Sequence, residues 1–406
     1  MSSDTRETSD IRQHDFLIIG AGMAAHAAAV GIRAQGATGS IAILGAEADG
    51  PVERPALSKD LWSGDDAEGT SALKDTAGET GASLVLGDAA ASIDVEARTV
   101  TTESGAVHGY GELLVATGGV PRTLDGLDEG ERVIAYRSLD DYRRLRALAT
   151  ATPAPRIAVV GAGFVGTEIA ASLSRTDADV VLVHPGARVA DHVLPDELAT
   201  ELERELTEHD VDLHGGAEVS RGEVRLDGVT LHLDDDTSVD ADVVVIGLGV
   251  RPATRFVEGV LDLADDGGIV VDEHLRTSAP HVWAAGDVAQ YPDPILGLTR
   301  VEHVDAATTQ GEAAGRAMAG GTEPYAHTPI FWSDVRDLGY EAVGTLSTRL
   351  QTVVDPVGDG TVVYYLDDDA VRGVLLWNVW EQTDAAKEVL AGPRPADPAE
   401  LRGRIG

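Results

Sequence analysis

The sequence contains no cysteine. Disulfide bonds, thiolate nucleophiles and the iron–sulfur or zinc sites that cysteine ligands build are therefore excluded. Any redox chemistry of this chain must belong to a bound cofactor, and we expect no metal site.

Cationic residues are scarce, because 31 lysines and arginines stand against 69 acidic residues, for a formal charge of −38. This excess repels phosphate backbones and anionic membranes, so no nucleic-acid partner is expected. The composition resembles that of proteins from salt-loving organisms, where molar salt screens charges beyond about 3 Å. The acidic residues are spread between apolar periodic segments, so we interpret them as a solvated surface rather than a disordered tail.

Long hydrophobic runs are also absent. The first thirteen residues are polar and show no signal peptide, and no later run reaches the roughly 20 apolar residues of a membrane span. We therefore expect a cytoplasmic protein with no membrane span.

The length of 406 residues is more than a single hydrophobic core usually stabilises, so two or three domains are expected.

A dinucleotide-binding pattern stands near the start of the chain. In "HDFLIIGAGMAAHAAAVGIR" an apolar strand, residues 16–19, runs into Gly20-x-Gly22-x-x-Ala25 and then into an alanine-rich helix. The first glycine permits a sharp turn, the second lets backbone approach a pyrophosphate, and the small third residue lets helix and strand pack closely. Glu47 follows the next strand, where an acid accepts ribose hydroxyls, although a surface glutamate is the alternative.

The pattern repeats about 140 residues later in "RIAVVGAGFVGTEIAASLSR", with Gly161-x-Gly163-x-x-Gly166 between a strand and a helix. Two such fingerprints predict two nucleotide domains, one with a tightly bound cofactor and one with an exchangeable cofactor. Two dinucleotides imply electron transfer between them.

The second fingerprint lacks an acid at the end of its next strand, which instead carries His184, Pro185 and Gly186, with Arg188 and His192 nearby. Without that acid the 2′-hydroxyl of NADH has no anionic acceptor, and the nearby cations could suit a 2′-phosphate. The choice between NADH and NADPH therefore stays open.

Three further segments place apolar strands before glycines. "ELLVATGG", with Thr117 and Gly118, and "DADVVVIGLGVRP", with Gly249, are typical of the crossings between domains. "HVWAAGDVAQ" puts Asp287 after a buried strand and a glycine, where it could bond a cofactor's sugar-alcohol chain. An Asp N-cap is the alternative, but a proline soon interrupts any helix there.

With two fingerprints, ATGG and AGD in this order, the chain resembles two-dinucleotide flavoprotein reductases of the glutathione-reductase fold over essentially its whole length. "ERPALSK", residues 53–59, is similar to a segment of ferredoxin reductases and apoptosis-inducing factor. "RVEHVDAATTQGEAAG", "FWSDVRDLGYEAVG" and "VRGVLLWNVW" resemble consecutive C-terminal segments of apoptosis-inducing-factor-type flavoproteins. The absence of cysteine separates the chain from disulfide reductases.

The resemblance implies FAD at the first site and NAD(P)H at the second. The residues that we predict to contact FAD are Gly20, Gly22, Ala25, Glu47, Arg54, Lys59, Thr117, Gly118, Arg137, Asp287, His303 and Trp332. Those predicted to contact NAD(P)H are Gly161, Gly163, Gly166, Glu168, His184, Arg188, Gly249, Glu302, Glu341 and Asn378.

The resemblance has two departures. Mitochondrial members of the family carry a ribose-binding acid at the position of Gly186, which puts NADH preference in doubt. They also carry a long insertion in the C-terminal domain, whereas residues 351–368 here pass directly between two strand-like stretches. A role in death signalling or DNA binding therefore has no support.

The expected chemistry is hydride transfer from a nicotinamide to the flavin, which requires two stacked rings and stabilisation of the charge that develops on the flavin. Our catalytic candidates are Lys59, Glu168 and Trp332. Lys59 would supply positive potential at the flavin edge, held by an ion pair with Glu168; a glutamate that only offsets the helix dipole is the alternative. Trp332 would cover a ring face, with a core tryptophan as the alternative.

We expect an α/β fold with two Rossmann-like dinucleotide-binding domains and a C-terminal α+β domain with an antiparallel sheet. Residues 14–120 and 241–327 form the predicted FAD domain, residues 121–240 the NAD(P)H domain, and residues 328–406 the C-terminal domain, which could supply a homodimer surface.

The expected function is that of an FAD-dependent NAD(P)H oxidoreductase, passing electrons to a ferredoxin-like carrier, a quinone or another small acceptor. The alternative is a redox sensor, in which a long-lived NADH-reduced FAD complex controls dimerisation or partner binding. "RSLDDYRRLRAL", residues 137–148, offers four arginines as a carrier-docking patch, with surface pairs to Asp140 and Asp141 as the alternative.

Overall fold

The computed structural model describes residues 11–406. Its strands, in chain order, are β1 Arg12–Ile19, β2 Ile41–Gly45, β3 Ser83–Leu86, β4 Ala90–Asp94, β5 Thr99–Thr102, β6 Val107–Val115, β7 Gly119–Pro121, β8 Val133–Ala135, β9 Arg156–Val160, β10 Asp179–His184, β11 Val211–Gly215, β12 Val219–Val224, β13 Val229–Leu233, β14 Ser238–Ala241, β15 Val243–Ile246, β16 Val250–Pro252, β17 Ile269–Val270, β18 Val282–Ala284, β19 Ala289–Asp293, β20 Gly297–Thr299, β21 Ile330–Val335, β22 Leu338–Gly344, β23 Gln351–Val357, β24 Gly360–Leu366 and β25 Val371–Trp377.

The α-helices are α1 Met23–Ala34, α2 Arg54–Ser58, α3 Asp60–Ser63, α4 Thr76–Thr80, α5 Leu139–Ala151, α6 Phe164–Leu173, α7 Asp196–Glu208, α8 Val304–Met318 and α9 Thr383–Ala391, with short 3-10 helices at Thr70–Ala72, Arg255–Val257 and Pro398–Leu401. None of these helices is long and apolar enough to cross a membrane, a finding that covers residues 11–406.

The first sheet has the strand order β3-β2-β1-β6-β5-β4, with β18 paired to β6. Its strands β3, β2, β1, β6 and β18 are parallel, and the apolar runs of β1, β2, β6 and β18 are buried. Helices α1 and α8 pack closely because Gly311 and Gly315 of α8 lie against the backbone of Ala24 and Ala28, where a Cβ atom would overlap a carbonyl oxygen. Small residues thus bring the N-terminal end of α1 close to the segment that follows β18.

The second sheet is parallel, in the order β11-β10-β9-β15-β8. Strand β15 belongs to this sheet, although the predicted boundary at residue 241 assigned it to the first domain. Because β15 pairs with β8 and β9, the chain passes from the second domain back to the first only after Ile246. The return strand β16 lies antiparallel to β7, so the two predicted crossings run side by side.

The third sheet is antiparallel, in the order β21-β22-β25-β24-β23. One face packs on α9, while the other joins a core that includes residues of β9, β10, α6 and α7. The α/β fold with an antiparallel C-terminal sheet is thereby confirmed. The third sheet covers the helical face of the second sheet, and its edge strand β21 reaches the opening between the two parallel sheets.

Candidate active site

A cavity of about 1390 Å³ lies where the carboxyl ends of the two parallel sheets face each other. This is the position at which ligands bind in open α/β sheets. The first sheet contributes the turns after β1, β2 and β6, the second contributes those after β9, β10 and β15, and β21 of the third sheet closes one side.

Most of the predicted site residues line this cavity. They are Gly20, Gly22, Glu47, Arg54, Lys59, Thr117, Gly118, Arg137, Asp287, His303 and Trp332 on the first side, and Gly161, Gly163, Glu168, His184, Arg188, Gly249 and Glu302 on the second. Ala25, Gly166, Glu341 and Asn378 do not line it.

The first glycine fingerprint forms an open cradle. Gly20 has φ +103°, and a Cβ atom there would overlap the carbonyl of Ala116 in the neighbouring strand. Gly22 is the N-cap of α1, without a side-chain cap, and a Cβ atom there would meet nothing within 4 Å. Ala25 is fully buried in the core, so its role is close packing. The uncapped helix end faces open space and fits a pyrophosphate.

The second fingerprint has the same geometry. Gly161 has φ +104°, and a Cβ atom there would stand 2.6 Å from the carbonyl oxygen of Gly247. Gly163 caps α6 without a side chain and has nothing within 4 Å of a built Cβ atom. At Gly166 a Cβ atom would overlap the carbonyl of Gly161. The third glycine therefore lets α6 approach the turn, while the second leaves room for a phosphate.

A chain of alternating charges lines the first side. Arg54 Nη2 lies 2.7 Å from Glu47 Oε1, Arg54 Nη1 donates to the carbonyl of Arg137 at 2.8 Å, and Arg137 Nη2 lies 3.0 Å from Asp287 Oδ2. Burial lowers the pKa of Arg137, the neighbouring Arg54 lowers it further, and Asp287 opposes both effects. The hydroxyl of Thr117 donates a hydrogen bond to the carbonyl of Ala253 at 2.8 Å, so its proton is already bound within the protein.

An ion pair between Lys59, at the junction of α2 and α3, and Glu168, in the helix of the second fingerprint, lines the cavity. Lys59 Nζ lies 2.6 Å from Glu168 Oε1, with side-chain exposures of 15% and 5%. Ser58 Oγ donates to Glu168 Oε2 at 2.5 Å, and Ser333 Oγ donates to Oε1 at 2.6 Å. The hypothesis of a Lys59–Glu168 pair is confirmed. The two serines were missed, although Ser58 stands beside Lys59 in the sequence.

Aromatic rings form the wall of the cavity beside this pair. His303 stacks on Phe331, with ring centroids 4.3 Å apart, and burial lowers its pKa to about 4, so the imidazole is neutral at pH 7. Trp332 is 38% exposed on the outward face of the edge strand, which excludes the core-tryptophan alternative. Phe164 and Val165 in the first turn of α6 are also exposed and line the cavity. Sequence reasoning missed these two, because an apolar residue at a helix start normally indicates core.

Glu341 and Asn378, which the resemblance assigned to the nicotinamide side, are not brought to the cavity. Glu341 lies on β22 opposite Trp332, one strand in from the edge, and burial raises the pKa of its carboxyl. Asn378 follows β25, and its side-chain oxygen accepts a hydrogen bond from the backbone N–H of Gly339 at 3.0 Å. Their assignment to the coenzyme has no support from this geometry.

At the far end of the second side the ring of His184 is buried, and burial lowers its pKa, so it is uncharged at neutral pH. Arg188 Nη1 is paired with Glu203 Oε2 at 2.8 Å. Asp191, which sequence reasoning did not single out, also lines this end.

The arginines of residues 137–148 do not form a free patch. Arg143 makes two hydrogen bonds to Asp49, at 2.7 and 3.1 Å, and Arg146 donates to the carbonyls of Leu61 and Gly64. Arg144 lies 3.5 Å from Asp141. These contacts argue against a docking patch, although only Arg144 pairs with one of the two expected partners, Asp141. Within residues 11–406, no group of three or more acidic or histidine side chains is arranged to hold a metal ion.

Two protein families match the chain. Residues 14–311 match the pyridine nucleotide-disulphide oxidoreductase family, and residues 314–357 match the C-terminal domain of mitochondrion-associated apoptosis-inducing factor. The first match spans both fingerprints and nearly all of the residues that line the cavity. The second falls on the segment that contains β21, β22 and Ser333.

Individual proteins resemble the chain over nearly its full length. It is 32% identical over 394 residues to the anthranilate 1,2-dioxygenase system ferredoxin–NAD(+) reductase component of Burkholderia cepacia, covering 95% of this chain and 96% of that protein. It is 29% identical over 424 residues to the mitochondrial apoptosis-inducing factor 1 of Dictyostelium discoideum, covering 95% and 79%. The solved covalent putidaredoxin reductase–putidaredoxin complex matches with a TM-score of 0.84 at 27% identity, covering 96% and 95%. The resemblance drawn from the sequence is thereby confirmed.

Proposed function

The chain belongs to the pyridine nucleotide-disulphide oxidoreductase family, and we propose that it takes a hydride from NADH and passes the electrons to a ferredoxin-like carrier. As a member related to ferredoxin–NAD(+) reductases, it is an FAD-dependent oxidoreductase that uses a nicotinamide coenzyme. The observation that carries the proposal is the pair of open glycine cradles, at Gly22 and Gly163, that line one cavity together with the Lys59–Glu168 pair.

Bound FAD supplies a ring that accepts two electrons from a nicotinamide and releases them to a carrier. The first cradle, with the uncapped N-terminus of α1 at Gly22, would hold its pyrophosphate. The Glu47–Arg54 and Arg137–Asp287 pairs fix polar groups along the same side of the cavity, where they orient the rest of the cofactor. The second cradle, at the uncapped N-terminus of α6, would hold the coenzyme on the opposite wall.

Lys59 is positioned to stabilise the negative charge that hydride transfer brings into the cavity. Its ammonium is held by Glu168 and is largely removed from water, so its positive potential is less screened than at the surface. His303 presents a neutral imidazole stacked on Phe331, and Phe164 and Trp332 line the same cavity. The residues of the chain thus bind and orient the cofactors and stabilise the developing charge, and hydride transfer requires no acid–base pair.

A ferredoxin-like carrier is favoured as acceptor by the relatives that cover the whole chain, which include a ferredoxin–NAD(+) reductase component and putidaredoxin reductase. The charge of −38 means that an acidic carrier would not be steered to this chain by net charge. We therefore expect docking to depend on local contacts near the exposed Trp332 and to withstand high salt.

Transient and steady-state kinetics test this function. The purified protein should be yellow, its flavin should be bleached by NADH within one turnover, and a [2Fe–2S] ferredoxin should then support many turnovers. A short-chain quinone run in parallel, at both low and molar salt, separates a small acceptor from a protein carrier. Stoichiometric reduction by NADH without turnover on any acceptor would overturn the proposal.

The sensor remains a second candidate because residues 314–357 match the C-terminal domain of apoptosis-inducing factor. The insertion expected of mitochondrial members is not present, since β23 and β24 are joined by residues 358–359 alone. A sensor would show slow reoxidation after NADH reduction, together with a nucleotide-dependent change in mass by light scattering. The same light-scattering run tests the proposed homodimer, and cell fractionation tests the proposed cytoplasmic location.

A further inference from the structure

We propose that Asp191 supplies the anionic acceptor for the adenine-ribose 2′-hydroxyl that the end of β10 lacks, and that it makes the chain select NADH over NADPH. This inference rests on the proposed function, because it needs a nicotinamide coenzyme on the second fingerprint. It assigns a specificity role to a residue in the loop after β10, rather than to the strand end where the acid usually stands.

The carboxylate of Asp191 fills the space beside Gly186. A Cβ atom built on Gly186 would stand 2.7 Å from Asp191 Oδ1 and 2.8 Å from Oδ2. Both residues line the cavity, together with His184 at the end of β10. A glycine at residue 186 therefore leaves room for a carboxylate that comes from five residues further along the chain and occupies the region that a side chain at 186 would reach.

The positive charge of Arg188, at this end of the cavity, is already paired with the carboxylate of Glu203. Arg188 Nη1 lies 2.8 Å from Glu203 Oε2, while the other oxygen of Glu203 accepts the backbone N–H of Val189 at 3.0 Å. Glu203 thus fixes both the arginine and the loop that carries it. His184 adds no positive charge at neutral pH, because burial lowers its pKa. Glu203 thus offsets the charge of the guanidinium, and the carboxylate of Asp191 adds a second negative charge at this end of the cavity. This balance disfavours a 2′-phosphate and suits a hydroxyl donor.

The Asp191 segment is held in place from the third sheet. Thr348, in the connection between β22 and β23, donates its hydroxyl to the carbonyl of Asp191 at 2.7 Å, and its backbone N–H to the carbonyl of His192 at 3.0 Å. The preceding Ala190 has φ +55°, a left-handed conformation that the surrounding contacts must maintain. An acceptor fixed in this way loses little conformational freedom when a coenzyme binds.

Stopped-flow reduction of the bound flavin by NADH and by NADPH tests the assignment in the wild type, Asp191→Asn and Asp196→Asn. The wild type should favour NADH. Asp191→Asn should raise the apparent Kd for NADH about tenfold, because one charge-assisted hydrogen bond is lost. The apparent Kd for NADPH should not rise. Asp196 is exposed at the start of α7 and does not line the cavity, so Asp196→Asn removes the same charge and should leave both constants unchanged.

A relocation variant sharpens the test. Asp191→Gly empties the space beside residue 186, so the double variant Asp191→Gly with Gly186→Asp can place a carboxylate at the strand end. We expect the single variant to lose the NADH preference and the double variant to recover most of it. A merely structural role of Asp191 would not be restored by an acid at another position.

Each outcome decides between the alternatives. A wild type that favours NADPH, or an Asp191→Asn variant with an unchanged NADH-to-NADPH ratio, overturns the assignment. A wild-type flavin that neither coenzyme reduces contradicts the proposed function instead. If Asp191→Asn does not fold, calorimetry of the wild-type protein with AMP and with adenosine 2′,5′-bisphosphate decides, because the two differ only in the 2′-phosphate. Tighter binding of the bisphosphate overturns the inference.

Discussion

Lys59 Nζ lies 2.6 Å from Glu168 Oε1, across the opening between the two Rossmann units. Ser333, from the third sheet, donates to the same carboxylate oxygen at 2.6 Å, so three parts of the chain meet at one acid. A buried ion pair is tolerated when its remaining lone pairs are satisfied, and Ser58 and Ser333 do this for Glu168. The geometry therefore fixes an ammonium inside the cavity rather than at the surface.

Removal of that ammonium should affect the redox chemistry more than cofactor binding. We expect Lys59→Ala to retain FAD, because none of the contacts of the Gly22 cradle involve this residue. The loss of one partly neutralised charge is worth roughly 1 kcal/mol. For a two-electron couple this makes the reduction potential of the flavin about 20 mV more negative. Spectroelectrochemistry and stopped-flow reduction by NADH measure the two effects.

Lys74 provides the matched control for this prediction, since it pairs with Glu53 and does not line the cavity. Lys74→Ala should leave the potential and the reduction rate unchanged. Lys59→Arg should not restore the wild-type values, because a planar guanidinium cannot replace the compact ammonium that pairs with Glu168, whose carboxylate is also bound by two serines. Identical potentials in Lys59→Ala and the wild type would remove Lys59 from the mechanism.

Glu168 should matter for stability as well as for reduction. Glu168→Ala leaves Lys59 buried without its partner, and breaking a buried pair costs about 3 to 5 kcal/mol. Lys59→Met combined with Glu168→Met should cost clearly less than the sum of the single variants, because the double variant buries no unpaired charge. Chemical denaturation at a fixed excess of FAD completes this double-mutant cycle, and simple additivity would show that the pair is not energetically coupled.

The local features of the site could be predicted from the sequence, because short spacings encode them. The two glycine fingerprints predicted both cradles. The Lys59–Glu168 pair joins residues 109 positions apart and was a hypothesis that also depended on the family resemblance. The crossings between domains were also predicted, but the boundary was placed before β15 rather than after it, since β14 and β15 are separated by a single residue.

Contacts that depend on how the chain folds back on itself were mostly not predicted. Ser333 reaches Glu168 from 165 residues away, and nothing in "FWSD" indicates that contact. Asp191 lies beside Gly186 only because the intervening turn doubles back. Glu341 and Asn378 were assigned by resemblance, which matches residue types but not the face of the sheet on which they lie.

Two valine substitutions should separate the two nucleotide sites. A Cβ atom at Gly22 or Gly163 meets nothing within 4 Å, so valine at either position leaves the fold intact and fills only space for a ligand. Gly22→Val should yield folded protein without bound FAD. Gly163→Val should stay yellow but resist reduction by NADH. Absorbance spectra and stopped-flow traces distinguish these outcomes.

The third fingerprint position supplies the control for these variants. Gly166→Ala puts a Cβ atom onto the carbonyl of Gly161, so it should lower the melting temperature, whereas Gly163→Val should not. If Gly163→Val lost FAD while Gly22→Val kept it, the assignment of the two cofactors to the two sites would be reversed.

Acidification should destabilise the protein through His303. Its pKa is about 4 in the folded chain, because burial disfavours the charged ring, against 6.5 for an ordinary histidine. Between these values the unfolded chain binds the proton more readily, so stability is full above pH 6.5 and is lost as pH falls towards 4. The loss is roughly 1 to 3 kcal/mol. His303→Gln cannot take up this proton, so its melting temperature, recorded beside the wild type from pH 7 to pH 4, should fall less steeply. Parallel curves would mean that the ring is protonated in the folded protein without cost.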